Sequence, residues 1–397
     1  MSEPIRSGYV NWIDGMKMSR GHFVDLQRAI EDRIRDERAH SAWHLDHGIL
    51  PGRHNGKSAL DYEVILDGRD KFTLRVRQCR AITAGGDRIE VLHGEAPEGS
   101  MPVLTATIGE ALLQEGASFD LLIAMDSLDM EPYGVPDPLE SPPRHPWSRP
   151  RYNLGWASSE DLRNEGYGLH QITIARLRVT RNELVPDQEY IPPCVSVSSW
   201  PRLEEFHAQY QRFLKEAEQN LFKIVIRLNM REKRTDLSDS VDTYCRAAIS
   251  FLERELGTFQ IAGGRMGPRQ MVGNAVSFAR TLRYAIELLT GKGKDELLNY
   301  ISTVIGVQPA DYLQSLTQLT DLEYQHTDLK GSLVRILEFC RLNRKLLDEW
   351  VRLDYIGQRK TEDIFIHEET ARRPVPPPAP PPPPPAPPPP PKRGWSF

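Results

Sequence analysis

The sequence predicts an α+β chain: an N-terminal β-rich, sandwich-like domain with one early helix, then an all-α helical bundle, then a polyproline tail. Three observations carry this. Short runs rich in β-branched and aromatic residues, punctuated by Gly, Asp and Asn, fill the first half. From Trp200-Pro201 onward, apolar residues recur at three- and four-residue steps. Fifteen of the 32 prolines lie between Pro374 and Pro391, where no core can form. Strands followed by helices indicate an α+β chain or separate domains. The expected boundaries are 1–197, 198–356 and 357–397.

The early helix rests on Phe23, Leu26, Ile30 and Ile34, spaced by three and four with charges between them. Strands are expected over 62–66, 72–76, 88–92 and 119–125, with turns at Asp67-Gly68 and Gly85-Gly86-Asp87. Segment 132–153 holds seven prolines, which predicts a long ordered loop or an extended arm rather than a strand. Over 169–179, Ile172, Ile174, Leu177 and Val179 are interrupted by Thr173, Arg176 and Arg178, the pattern of a half-buried strand.

In the second half, Leu203, Phe206, Tyr210, Phe213, Leu214, Ala217 and Leu221 trace one helical face. A second helix is expected over 239–260, with Ser238 or Asp239 as N-cap. Others are expected over 268–289, 295–305, 309–319 and 327–352. Pro268 and Pro309 suit first turns, and Gly291 and Gly306 suit helix ends. The prolines of 374–391 favour an extended polyproline II tether reaching ~56 Å at ~3.1 Å per residue. Trp395 and Phe397 follow and give that tail two aromatic anchors for a partner.

Composition excludes several classes. A net charge of −5 over 397 residues is unlike a general nucleic-acid binder or a polybasic lipid-surface protein. No run of ~18 apolar residues predicts a membrane-inserted helix, and the start Met1-Ser2-Glu3-Pro4 has no signal-peptide pattern. Cys79, Cys194, Cys245 and Cys340 form no CxxC pair and read as thiols in a reducing compartment.

Candidate chemistry is sparse. His40, His44 and His47 share a face if helical, a spacing that suits zinc or nickel. Gly48 and Pro51, however, end the helix inside the cluster. The loop Ala262-Gly263-Gly264-Arg265-Met266-Gly267-Pro268 opens a helix, as anion sites do, but no Gly-Lys-Ser/Thr closes it. Glu204-Glu205 and Glu368-Glu369 read as solvated surface. No catalytic residue, metal or cofactor is assigned.

The N-terminal residues are more specific. Val10-Asn11-Trp12-Ile13-Asp14-Gly15-Met16-Lys17-Met18, followed by Gly21-His22-Phe23, resembles the opening pattern V-x-W-x-E-G-M-x-L-x-P-Q-H-F-Q of the TssK family of type VI secretion baseplate subunits. Arg20-Gly21 stands in place of Pro-Gln, and Val24 in place of Gln. Glu189-Tyr190-Ile191-Pro192-Pro193 is similar to the family's Y-I-P-P element. Tyr324-Gln325-His326-Thr327-Asp328-Leu329 is similar to its Y-x-H-x-D-L element, and Gln308-Pro309 stands where the family commonly has His-Pro. The three elements occur in the family's order over residues 9–350.

The resemblance implies a non-enzymatic, cytoplasmic, homotrimeric protein at the inner face of the cytoplasmic membrane. Its β domain, like the shoulder of phage receptor-binding proteins, docks onto the baseplate wedge. Its helical neck leads to a head that contacts the membrane complex. Only some twenty ordinary residues separate Trp350 from the prolines. The tail, through Trp395 and Phe397, is therefore expected to tether membrane-complex proteins in place of that head. Physically, Trp12, Met16, Met18 and Phe23 are expected to pack the first helix onto the β domain around a turn at Gly15, with His22 bonding backbone there. A phage-like tail protein, a His-cluster metalloprotein and a generic polyproline adaptor are the alternative readings.

Overall fold

The computed structural model describes residues 4–42, 46–54, 57–92, 101–230 and 234–353. The expected proline tail, with Trp395 and Phe397, lies outside them, as does His44. Residues Met1–Ile356 form one compact unit. A β-sheet region is followed by a helical region, and a single apolar core runs through both.

The chain opens with an extended segment and helix α1 (Arg20–Ala42). Among the described residues eleven strands follow: β1 (Gly48–Ile49), β2 (Arg53–His54), β3 (Lys57–Ser58), β4 (Leu60–Asp67), β5 (Lys71–Ile82), β6 (Arg88–Val91), β7 (Val103–Thr107), β8 (Ser118–Tyr133), β9 (Trp147–Ser158), β10 (Gln171–Thr180) and β11 (Glu183–Pro186). Helix α2 (Ser159–Glu165) lies between β9 and β10. The first sheet is organised on β5, which pairs antiparallel with β1, β4, β6 and β7. Phe72, Leu74 and Val76 alternate into the core and are fully buried. On the other face, Arg75 and Arg77 reach Glu63 on β4 at 3.5 and 2.6 Å, so opposite charges pair across the strands.

The second sheet has the order β11-β10-β8-β9. Arg181 and Asn182, at φ 53° and 63°, make the two-residue turn of the β10–β11 hairpin, where the right-handed strand twist requires positive φ. The expectation of a long ordered loop or an extended arm rather than a strand over 132–153 holds for the arm and is corrected for the strands. Pro132 pairs with Ser148, and Pro150 with Met130, inside the β8–β9 ladder. The ladder tolerates them because β9 is an edge strand and β8 pairs with β10 only as far as Ala124. Beyond that point the hairpin continues as a two-stranded arm whose tip is 134–146.

The half-buried reading of β10 is also corrected. From Ile172 to Leu177 every residue is buried, including Thr173 and Arg176. The register slips by one residue between Thr173 and Ala175. Such a bulge re-aims the side chains that follow it.

Helix α1 departs most from expectation. Among its residues of described burial, Ala29, Asp32 and Arg35 are buried. Phe23, Ile30 and Ile34 point outward at 54, 47 and 39 % exposure. The helix seats instead on the Gly85-Gly86 turn. A Cβ on Gly86, at φ +88°, would lie 2.2 Å from the Arg35 carbonyl oxygen. Asp32 bonds Arg35 at 2.8 Å. It also accepts the backbone N–H groups of Arg6 and Ser7, which ties the preceding segment to the helix. Arg33 covers the Tyr9 ring at 3.6 Å.

The helical region contains α3 (Pro201–Asn229), α4 (Asp236–Ala262), α5 (Pro268–Glu287), α6 (Gly293–Ile305), α7 (Pro309–Thr320) and α8 (Lys330–Arg352). Pro201, Pro268 and Pro309 occupy first turns, where the missing N–H costs nothing. The α4 N-cap is Thr235 rather than Ser238 or Asp239. Ser238 instead closes a capping box with Thr235. Phe251 stacks on Phe278 at 4.8 Å, and Phe339 meets Phe213 edge-on at 6.0 Å. Phe278 also meets Phe339 at 5.7 Å, so the four rings join α4, α5, α8 and α3. Beside them the Tyr244 and Tyr312 hydroxyls lie 2.8 Å apart, and both reach Asn343 Oδ1. Burial pushes both phenols above their ordinary range. Among the described residues, no helix is long and apolar enough to cross a membrane.

Two outcomes follow from the α1 seat. Gly86→Val combines positive φ with a backbone clash and is expected to cost about 3 kcal/mol or more, read as a fall in the urea midpoint. Burial opposes the Asp32 charge, but its hydrogen bonds from Ser7, Arg35 and Arg6 prevail and lower its pKa below 3.8. Its contribution is therefore complete above the unfolded value and is lost as pH falls through the lowered folded value. Hydrogen exchange at the Arg6 and Ser7 amides is expected to lose protection only below about pH 4.

Candidate functional site

Two of the three signature elements meet at one place. Tyr190-Ile191-Pro192-Pro193 follows β11, and Tyr324 to Leu329 joins α7 to α8. The Tyr190 hydroxyl donates to the Thr327 carbonyl at 3.3 Å. Lys330, opening α8, pairs with Glu189. The first sheet enters through β1. The Ile49 N–H donates to the Pro193 carbonyl at 2.7 Å, and the Val195 N–H donates to the Ile49 carbonyl at 3.0 Å. Gly48, at φ +124°, lies so close that a Cβ would sit 2.1 Å from the Pro193 oxygen. Only glycine fits there.

At the centre is a buried ion pair. Arg176 of β10 donates to Asp120 of β8 at 2.6 and 3.3 Å. Ser159 Oγ and Tyr167 Oη complete the Asp120 shell at 2.7 and 3.0 Å. Asp120 is fully buried and Arg176 nearly so. Arg176 Nη1 bonds Asp328 at 2.9 Å, and the guanidinium lies 4.5 Å over the Tyr190 ring. One arginine therefore joins two strands of the second sheet to the α7–α8 connection. Burial works against its charge, but the Asp120 hydrogen bonds and charge prevail and raise its pKa. Burial, then the Asp120 charge, pushes Tyr167 up to about 12. Burial likewise pushes Tyr190 well above its ordinary value. Both phenols stay protonated and keep donating.

A second polar chain lies beside the first. His326 Nε2 lies 2.7 Å from the His47 carbonyl oxygen, and its Nδ1 lies 2.8 Å from the Tyr324 hydroxyl. The neutral tautomer with its proton on Nε2 satisfies both contacts. Asp46 bonds Arg269 at 3.1 Å, adding the start of α5. The cluster binds the first sheet, the second sheet and the helical region into one polar joint.

The first signature element is not part of this joint. Trp12, Met18 and Phe23 are 47, 64 and 54 % exposed. Val10 and Met16 are half-buried, and Asp14 and Gly15 are exposed. The expected packing of this cluster against the β domain is thus corrected. Trp12 meets its own neighbours, His22 at 6.1 Å and Phe23 at 6.4 Å. His22 Nδ1 accepts the Ser19 N–H at 3.3 Å. Helix packing on the body goes instead through the Asp32–Arg35 side, because the Gly86 turn admits close backbone approach there.

The histidine cluster disperses. His40 is exposed beside Asp36, whereas His47 is buried with its ring 4.7 Å from His326. No group of three His, Cys, Asp or Glu arranged for a metal occurs among the described residues. All four cysteines are buried. The Gly263–Arg265 turn packs on Ser198 through Gly264.

Sequence reading missed Asp120, Arg176, Ser159 and Tyr167. A signal existed for Arg176: the apolar positions run 172 and 174, then 177 and 179, a parity slip that marks the bulge. Nothing in the sequence pairs Asp120 with it.

Removing one partner of a buried pair strands the other charge. Arg176→Met is expected to cost about 3–5 kcal/mol. Arg176→Met with Asp120→Asn should cost less than the sum of the single changes. A double-mutant cycle of urea midpoints measures the coupling.

No family model and no curated protein matches the chain. Several solved structures are similar to it. A crystal structure of TssK shares 16 % identity over 85 % of this chain and 69 % of that one, with a TM-score of 0.49. A structure of TssK from the EAEC type VI secretion system, in complex with a nanobody, shares 14 % identity over 82 % and 99 %, at 0.47. A cryo-electron microscopy structure of the type VI TssK-TssF-TssG baseplate subcomplex shares 15 % over 88 % and 100 %, at 0.46.

Proposed function

We propose that this chain is a structural baseplate component of a type VI secretion machine. In this reading it links the baseplate wedge to the envelope-anchored membrane complex and catalyses nothing. The observation that carries the reading is the exposure of the N-terminal signature and the apolar residues around it. Ile5, Tyr9, Trp12, Ile13, Met18, Phe23, Ile30 and Ile34 are all exposed. So many large apolar groups in one stretch of surface mark a protein-binding site. The resemblance to the TssK opening pattern, which covers Val10 to Phe23 of this stretch, suggests its partner, the wedge subunits, bound through Trp12, Ile13 and Met18.

The other two elements support a mechanical role. Tyr190, Pro192, Pro193, Tyr324, His326 and Asp328 converge on a joint whose central arginine is held by internal partners, the arrangement of a coupling rather than a reactive centre. Self-association as a homotrimer is part of the reading. Phe222, Ile226 and Met230 lie four residues apart along α3 and its C-cap and are exposed at 47, 52 and 79 %. This apolar stripe suits a helical bundle shared between copies. The reading gives the tail, through Trp395 and Phe397, the contact with membrane-complex proteins on the cytoplasmic side.

The test is co-purification from the native cells, with mass spectrometry. Wild-type chain should bring down wedge subunits. Trp12→Asp with Ile13→Asp should lose them while melting at an unchanged temperature. A chain ending at Thr370 should retain wedge subunits and lose envelope proteins. Recovery of no baseplate protein with the wild type would sink the assignment.

A further inference from the structure

Helix α1 and the β8–β9 arm border an open cleft of about 1260 Å³. Small-molecule pockets are usually ~300–1,000 Å³ and mainly apolar, whereas this cleft is larger and lined by charges. Among the described residues its lining holds eight arginines against six carboxylates, although the chain as a whole carries −5. The carboxylates are already engaged. Asp32 bonds Arg35 at 2.8 Å, Glu131 bonds Arg149 at 2.8 Å and Glu90 bonds Arg80 at 2.9 Å. Asp129 lies 3.5 Å from Arg151, Glu31 lies 3.6 Å from Arg38, and Asp87 meets His170 at 2.6 Å.

The arginines are not all engaged in return. Arg20 and Arg28 are exposed, line the cleft from α1 and have no ion pair among the described residues. Across the cleft, the arm is held in shape by its own bonds. The His145 Nδ1–H donates to the Gly134 carbonyl at 2.7 Å, and the Asp137 N–H donates to the Arg144 carbonyl at 3.0 Å. Both walls are therefore formed before anything binds, which lowers the ordering cost of binding. A cleft with an excess of one charge between low-dielectric walls focuses its field on ligands of the opposite sign. Guanidinium groups match carboxylates in paired hydrogen bonds. The negative charge of the rest of the chain opposes a long polyanion such as a nucleic acid, but not a short acidic segment reaching into the cleft.

We propose that the cleft between α1 and the arm is a docking site for an acidic peptide segment of a partner protein, whose carboxylates pair with Arg20 and Arg28. The proposal stands apart from the wedge reading, because it uses these two arginines and not the apolar residues of α1.

The test uses a fluorescein-labelled octapeptide of alternating Glu and Ser, read by anisotropy against the full-length chain. The peptide should bind at about 50 mM salt and weaken strongly at about 500 mM. The same peptide with Gln in place of Glu should not bind. Arg20→Glu with Arg28→Glu should weaken binding by about tenfold or more without changing the melting temperature, because both side chains are exposed. Arg254→Glu with Arg335→Glu makes the same change of charge on exposed positions of α4 and α8 and should leave binding nearly unchanged. Equal weakening by the two pairs of changes, or no binding at low salt, overturns the site. Tighter binding of an oligothymidylate of equal charge overturns the peptide and assigns the cleft to nucleic acid.

Discussion

The Arg176–Asp120 pair is the constraint on which the rest of this structure depends. A carboxylate removed from water tolerates burial only when its oxygens are bonded. Asp120 meets that demand with groups from β10, from the start of α2 and from the chain leading to β10. Arg176 extends a further N–H to Asp328, far along the sequence. The second sheet and the α7–α8 connection are therefore held at one fixed spacing. The Tyr190 ring shields the guanidinium from solvent, and its hydroxyl donates to the same connection. Hydrophobic contact alone would allow many relative placements of sheet and helices. The directional bonds of one arginine select one of them.

Much of the fold was legible from periodicity. The alternation of Phe72, Leu74 and Val76 revealed the central strand, and the prolines at 201, 268 and 309 marked helix starts. Local chemistry decides these features, so a single sequence carries them. The arm was harder. Its prolines argue against strand formation only where a neighbour needs their N–H groups, and an edge position removes that need. The α1 face misled for a related reason. A three-and-four apolar spacing says which side of a helix is apolar, not whether the body of the same chain covers it.

The joint shows the same boundary. Tyr190, His326 and Asp328 were singled out by resemblance, yet they converge only because the whole helical region folds between them, and no local pattern encodes that path. Asp120 and Arg176 were missed because a charge inside a strand reads as a solvated face until its partner is known. Only the parity slip around Ile174 hinted that β10 is covered on both sides.

The polar cluster of Tyr244, Tyr312 and Asn343 has a consequence for the register of the helices. These groups sit on α4, α7 and α8 and satisfy one another where water does not reach. Sliding any one of these helices along its axis by a turn would leave buried donors and acceptors unmatched, at about 1–3 kcal/mol for each stranded group. These unmatched groups add to the voids and overlaps that sliding any close-packed apolar seam would create. The cluster therefore works like a pawl that fixes the axial register of α4, α7 and α8.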